Sequence, residues 1–246
     1  MKNENKTNKI KNKMIELKIG KQKATLPNQW SEMTLNRYKG LVKIVNNNEF
    51  HEPPVDDLPT TEDGKEALEM QRQLHNIRTN KKVFSYLTGV NETTIDKCNM
   101  EDMNSAMALM NEFLNSQAEK SYKQDTKYKF SFKGKTYYFP DHNMEKSTFG
   151  DYIESAQLDM FNKKSEGGRM SVLAEQMAIL CREKNEVYDE QIVMKKTKLF
   201  GNLTMDVVWD FLFFLMERIN TYKKNIPMSL KMATETKTDT PPNIGK

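Results

Sequence analysis

Three histidines, His51, His75 and His142, and two cysteines, Cys98 and Cys181, are the side chains of this sequence best suited to ligate a metal or act as nucleophiles. Their spacing serves neither purpose. No histidine has another three or four residues away, the separation that would put two imidazoles on one face of a helix. Each cysteine lacks a nearby second cysteine, which leaves zinc and disulfide frameworks unsupported and fits a reducing compartment. Asp141 and His142 are adjacent, but they follow Pro140 and read as solvated turn residues rather than a catalytic dyad. The acid pairs Asp56-Asp57 and Asp189-Glu190 have no pocket-forming sequence around them and read as loop charges. The phosphate-binding loop, the dinucleotide-binding glycine fingerprint and the nucleophile elbow are absent. These residues predict a protein that is not an enzyme, with no cofactor and no metal.

Such side chains must be held by a core, and the composition allows one. Apolar residues make up 37% and charged residues 29%, at a mean hydropathy of -0.79, which predicts a folded middle with loose ends. The heavy use of Lys and Asn, with 17 Met, is what an AT-rich genome produces, and no function is read from it. The net charge of +4 is the difference of 38 basic and 34 acidic residues, too balanced to imply nucleic-acid binding from totals. Residues 1–13 are different, because Lys2, Lys6, Lys9, Lys11 and Lys13 face a single acid, Glu4. This basic flexible arm is a candidate contact for nucleic acid, an inert tail, or a segment that orders on a protein partner. It contains no arginine or aromatic residue that would give base or phosphate specificity. It has no apolar stretch of the secretory kind, and the longest apolar run, Val207 to Met216, is interrupted by Asp210 and too short for a bilayer. A soluble, intracellular chain with no membrane association is expected.

Two segments have the same hairpin pattern. Ile15, Leu17 and Ile19 alternate, Gly20-Lys21 turns, and the chain returns through Ala24 and Leu26 to Pro27. Tyr128, Phe130 and Phe132 likewise alternate, Lys133-Gly134-Lys135 turns, and Tyr137 to Phe139 returns to Pro140. A shift of 113 places Leu17 on Phe130, Ile19 on Phe132, Leu26 on Phe139 and Pro27 on Pro140. A shift of 114 then aligns Thr34-Leu35-x-x-Tyr38 with Thr148-Phe149-x-x-Tyr152, each opening on an N-capping threonine, with Asp151 placed to complete a capping box.

The remaining signals extend the parallel. The first copy continues with a loop from Asn46 to Gly64, a polar helix from Gly64 to Arg78, a helix over Lys82 to Leu87 stopped by Thr88-Gly89, and a helix from Asn99 to Leu114 carrying Met103, Met107, Met110 and Leu114. The second continues with a helix over Ser171 to Cys181, a charged stretch from Tyr188 to Phe200, and a helix from Thr204 to Ile219. The predicted organisation is a basic arm (1–13), a first hairpin-helical half (14–116), a second half (126–230) and a polar C-terminal tail (231–246). The fold class is α+β, mostly helical and internally duplicated.

The strongest apolar signal runs through Trp209, Phe211, Phe213 and Phe214, on a helix apolar nearly all round. Such a helix is either a central core element or one whose face is a subunit interface. Trp209, Phe211, Phe213, Phe214 and Trp30 are therefore the candidate interface residues.

The hairpin ending at Leu26-Pro27, followed by Trp30 and Met33-Thr34-Leu35-x-x-Tyr38, resembles the opening of small tailed-bacteriophage proteins of the head–tail region or of the tail-assembly-chaperone type. Thr148-Phe149-x-x-Tyr152, the Leu173 to Cys181 helix, the Val187-Tyr188-Asp189-Glu190 segment and the Phe211 to Phe214 helix are similar to their second half. The resemblance implies a non-enzymatic virion structural protein, a subunit of a ring or collar in the portal–tail region. It would be a homo-oligomer contacting portal or tail components, made in the host cytoplasm and located in the virion. The alternatives are a tail assembly chaperone absent from the mature particle, and a nucleic-acid-binding accessory protein using the Lys-rich arm.

Overall fold

A computed structural model describes residues 14–116, 129–140 and 168–225. Among these residues are seven α-helices and two antiparallel strand pairs, an α+β and mostly helical fold. Ile15–Ile19 (β1) and Gln22–Leu26 (β2) pair with Leu17 opposite Ala24 and Ile19 opposite Gln22. Alternation puts Ile19, Ala24 and Leu26 on the buried face. Lys129–Phe132 (β3) and Lys135–Tyr138 (β4) pair with Phe130 opposite Tyr137 and Phe132 opposite Lys135. The shift of 113 therefore maps these strand pairs onto each other in register. The expected equivalence of Leu35 with Phe149 and of Tyr38 with Tyr152 falls on residues 141–167, which lie outside the described residues, as do the arm and the C-terminal tail.

The turns differ. In the first hairpin only Gly20 has a positive φ (58°), whereas in the second both Lys133 (47°) and Gly134 (79°) do. A glycine at the first turn position suits a II′ turn, and positive φ at both positions is the I′ geometry, which makes Lys133 adopt a conformation its Cβ disfavours.

Leu35–Asn46 (α1) begins at Thr34, whose hydroxyl accepts from the Arg37 amide at 3.3 Å. A long loop leads to Glu62–Thr88 (α2), capped by Thr61 and ended by Gly89 in the left-handed conformation. This corrects the expectation of two helices over 64–78 and 82–87. Thr79, Asn80 and Lys81 interrupt the apolar pattern but contain neither glycine nor proline, so the backbone ladder continues through them. Glu92–Ile95 (α3) and Met100–Leu114 (α4) follow, the latter capped by Asn99 and burying Met103, Ala106, Met110 and Phe113. Met107 and Leu114 of the expected stripe are only partly buried, because the core-facing stripe is rotated toward Ala106 and Phe113.

In the second half, Leu173–Leu180 (α5) is buried on nearly every side. The stretch read as merely charged contains a helix, Glu190–Phe200 (α6), and Asp189 is its cap, accepting from the Ile192 amide at 2.9 Å. Lys196 enters the interior here, donating to the Cys181 carbonyl at 2.9 Å and to Glu186 at 2.6 Å. Its charge is buried but paired, which ties the 181–189 turn to α6. Met205–Asn225 (α7) closes the described fold.

One hydrophobic cluster joins the two halves, running from Ile19, Leu26, Leu35, Phe84 and Met110 to Phe130, Met177, Phe200 and Phe211. The backbone joins them as well. Thr34 and Thr204 form an antiparallel bridge. The Leu35 and Asn36 amides donate to the carbonyls of Leu203 and Gly201, and the Met205 amide donates to that of Met33, each at 2.8 Å. First-turn amides of a helix have no partner within it, so α1 and α7 each use the segment preceding the other.

Candidate interaction surfaces

α7 distributes its residues between two environments. Val208, Phe211 and Phe214 recur at helical spacing and are buried, with Phe211 and Phe214 at 5.6 and 5.4 Å from the ring of Phe139. Asp206, Trp209, Asp210 and Phe213 share the opposite, half-buried face. Trp30 is buried as well, and its indole N–H donates to the Ser116 carbonyl at 3.2 Å. Of the five candidate interface residues, Trp30, Phe211 and Phe214 are thus core residues of this chain. Trp209 and Phe213 keep accessible surface.

On that second face, Trp30, Tyr38 and Trp209 meet mutually edge to face, with centroids 5.8 to 5.9 Å apart. Phe113 completes the cluster at 4.8 Å from Trp30. Offset and edge contacts of this kind add stability beyond the area they bury. Burial raises the Tyr38 hydroxyl above its ordinary value. The Trp209 indole nitrogen and one carboxylate oxygen each of Asp206 and Asp210 are buried with no hydrogen-bond partner. Burial first, then the neighbouring Asp206 charge, push Asp210 up to about 6.

α2 offers a surface of another kind. Its buried residues are Val83, Phe84 and Leu87, all in the last two turns. Along the rest, Met70, Leu74 and Ile77 remain 58%, 48% and 64% exposed. The loop before α2 covers its other side: His75 packs against Phe50 and bonds the Asn48 carbonyl, Thr79 donates to that same carbonyl, and Arg72 pairs with Glu52 at 2.9 Å. A shallow cleft of about 450 Å³ lies between α1 and α2, lined by Lys43, Asn47, Lys82, Tyr86 and Glu92 among others. Its polar groups are of mixed sign, and Lys82 is taken by Asn48, so no ligand set converges there.

The residues that opened the chemical question are dispersed. His51 is exposed on the loop before α2, and His142 lies outside the described residues together with Lys2, Lys6, Lys9, Lys11 and Lys13. The Cys98 thiol donates to the Thr94 carbonyl, while Cys181 is buried and its thiol is pushed up by burial. Asp56 and Asp57 are exposed in a short 3-10 turn. Among the described residues, no group of three or more His, Cys, Asp or Glu could hold a metal ion, and no helix is long and apolar enough to cross a membrane.

No family model, curated protein or solved structure matches this chain. Three features escaped the sequence reading: the Thr34–Thr204 bridge, the exposed side of α2 and the buried Lys196. The first had a signal, since Met33-Thr34-Leu35 and Leu203-Thr204-Met205 are both apolar-Thr-apolar steps into a helix. The other two depend on what packs where, which spacing alone does not reveal.

Proposed function

We propose that this chain is a non-enzymatic structural subunit of a tailed-bacteriophage particle, part of a ring or collar in the head–tail region. The observation that carries the reading is the joint between the halves. Of the residues that bear the resemblance, Trp30, Met33, Thr34, Leu35 and Tyr38 converge there on the start of α7. They are spent on capping, packing and interlocking, as a load-transmitting structural subunit requires, and none is left to bind a substrate. The accessible apolar groups, Trp209 and Phe213 on α7 and the exposed side of α2, are then the contacts to neighbouring subunits or to portal and tail components.

Protein identification on purified particles tests this. A structural subunit is expected at a fixed, multiple copy number per particle. A chain abundant in infected cells yet absent from particles would make it a tail assembly chaperone instead. The third reading, nucleic acid held by the Lys-rich arm, predicts a steep salt dependence. Five lysines on duplex phosphates would lower log affinity by about 4 to 5 per log unit of salt. A shallow dependence, with no loss on deleting residues 1–13, is expected.

A further inference from the structure

Isolated apolar side chains on a surface are ordinary, but α2 carries a row of them. Ala67, Met70, Leu74 and Ile77 are all exposed and follow one another at alternating steps of three and four, the a and d spacing of a coiled-coil seam. Phe84, a further heptad beyond Ile77, is buried, so the row runs directly into the core. The loop residues Phe50 and Glu52 and the Asn48 carbonyl lie on the side of α2 that carries Arg72, His75 and Thr79, away from the row. Among the described residues, none of these contacts covers the seam.

The charges on α2 state what fits it. Glu62, Asp63, Glu66 and Glu69 crowd its first turns, and from Arg72 onward there are Arg78, Lys81 and Lys82 and no acid. We propose that α2 packs antiparallel against α2 of a second copy of this chain. In that arrangement Ala67 lies level with Ile77 of the second copy and Met70 with its Leu74, and the same pairs recur beyond the twofold axis. Each layer joins a smaller with a larger or more flexible side chain, which packs without voids. Beyond these layers the acidic first turns of one copy lie beside the half of the other that carries Arg78, while Lys81 at that level stays paired within its own chain, at 2.9 Å from Asp96 and 3.5 Å from Glu92. A parallel pairing would set the acidic first turns, Asp63 on Asp63 foremost, against each other, and such like-charge contacts select against it. The seam is legible on α2 alone and does not depend on the virion reading.

The test uses the full chain. Sedimentation equilibrium should show reversible dimerisation, and Leu74→Lys should weaken it at least tenfold while leaving helical content, and the melting temperature at concentrations where the wild type is monomeric, unchanged, because Leu74 is outside the core. On a Cys98→Ser background, Ala67→Cys mixed with Ile77→Cys should oxidise to a disulfide-linked pair of the two variants, while neither variant alone cross-links to itself. A wild-type chain that stays monomeric, a Leu74→Lys chain that dimerises as well as wild type, or an Ala67→Cys chain that cross-links to itself overturns the proposal. Each result is read on the isolated chain, so it stands apart from whether the chain occurs in particles.

Discussion

The two hairpins have one register and two different jobs. In the second, Phe130 stacks on Tyr137 at 5.3 Å, Tyr137 meets Phe200 edge on at 4.9 Å, and Phe139 reaches Phe211 and Phe214. In the first, the buried face is Ile19, Ala24 and Leu26, directed at α2 and α4. A repeated alternation around a two-residue turn is what any amphipathic hairpin needs, so matched register alone does not give two segments the same place in a fold. The rings bury more area than the aliphatic groups and lock neighbours by orientation, so the second hairpin is expected to bind more tightly.

Tyr137→Ala and Phe139→Ala sharpen that contrast most. Each is expected to cost about 3 to 5 kcal/mol, against about 2 to 4 kcal/mol for Leu26→Ala, by urea unfolding of the full chain. Equal costs at Tyr137 and Leu26 would erase the distinction between the hairpins.

The turns separate them at a smaller scale. Gly134→Ala and Gly20→Ala should each destabilise by about 1 to 2 kcal/mol, since both positions need a left-handed backbone. Lys133→Asn should stabilise by up to about 1 kcal/mol, because asparagine tolerates the φ that Lys133 is made to adopt. Lys21→Asn has no such φ to relieve and should do nothing. If both substitutions behave alike in thermal melts, the turns are not of different type.

Local chemistry is what the sequence displays well. The cap at Thr34, the stop at Gly89, the start of α4 at Asn99 and both hairpin turns each depend on a few adjacent residues, and all are where spacing puts them. α2 is less legible, because apolar periodicity lapses at Thr79–Lys81 while the backbone ladder runs on through them. The aromatic run on α7 was legible as apolar all round, but only the positions of Phe139 and Trp30 decide that Phe211 faces inward and Trp209 sideways. Thr34 and Thr204 lie far apart in the sequence, and although both sit in apolar-Thr-apolar steps into a helix, that these steps pair with each other follows from long-range packing. Thr34→Ala should cost about 1 kcal/mol of stability through its cap alone, measured by thermal unfolding. A much larger loss would mean the cap also holds the bridge.

α7 serves both regions, one face receiving Phe139 of the second hairpin and the other receiving Trp30 and Tyr38 just after the first. Asp210 belongs to the second face, where its carboxyl is raised to about 6 by burial and by Asp206. A carboxyl whose folded value exceeds its unfolded value of about 4 binds its proton more tightly when folded. Stability from this group is therefore full below about pH 4 and declines as the pH rises through about 6, after which the charged form bears the whole penalty. Solvent reaches the half-buried side chain and screens it, which limits the effect to about 1 kcal/mol or less. Asp210→Asn should consequently stabilise the chain at pH 7, leave it nearly unchanged at pH 4, and flatten the decline between them in melts across that range. The same substitution should change the cost of Phe139→Ala by less than about 0.5 kcal/mol, because Phe139 is packed by the rings of Phe211 and Phe214 whereas the charge that raises Asp210 comes from Asp206. Strong coupling between them would show that α7 transmits strain from one hairpin's partner to the other's, and that the two regions are not separable.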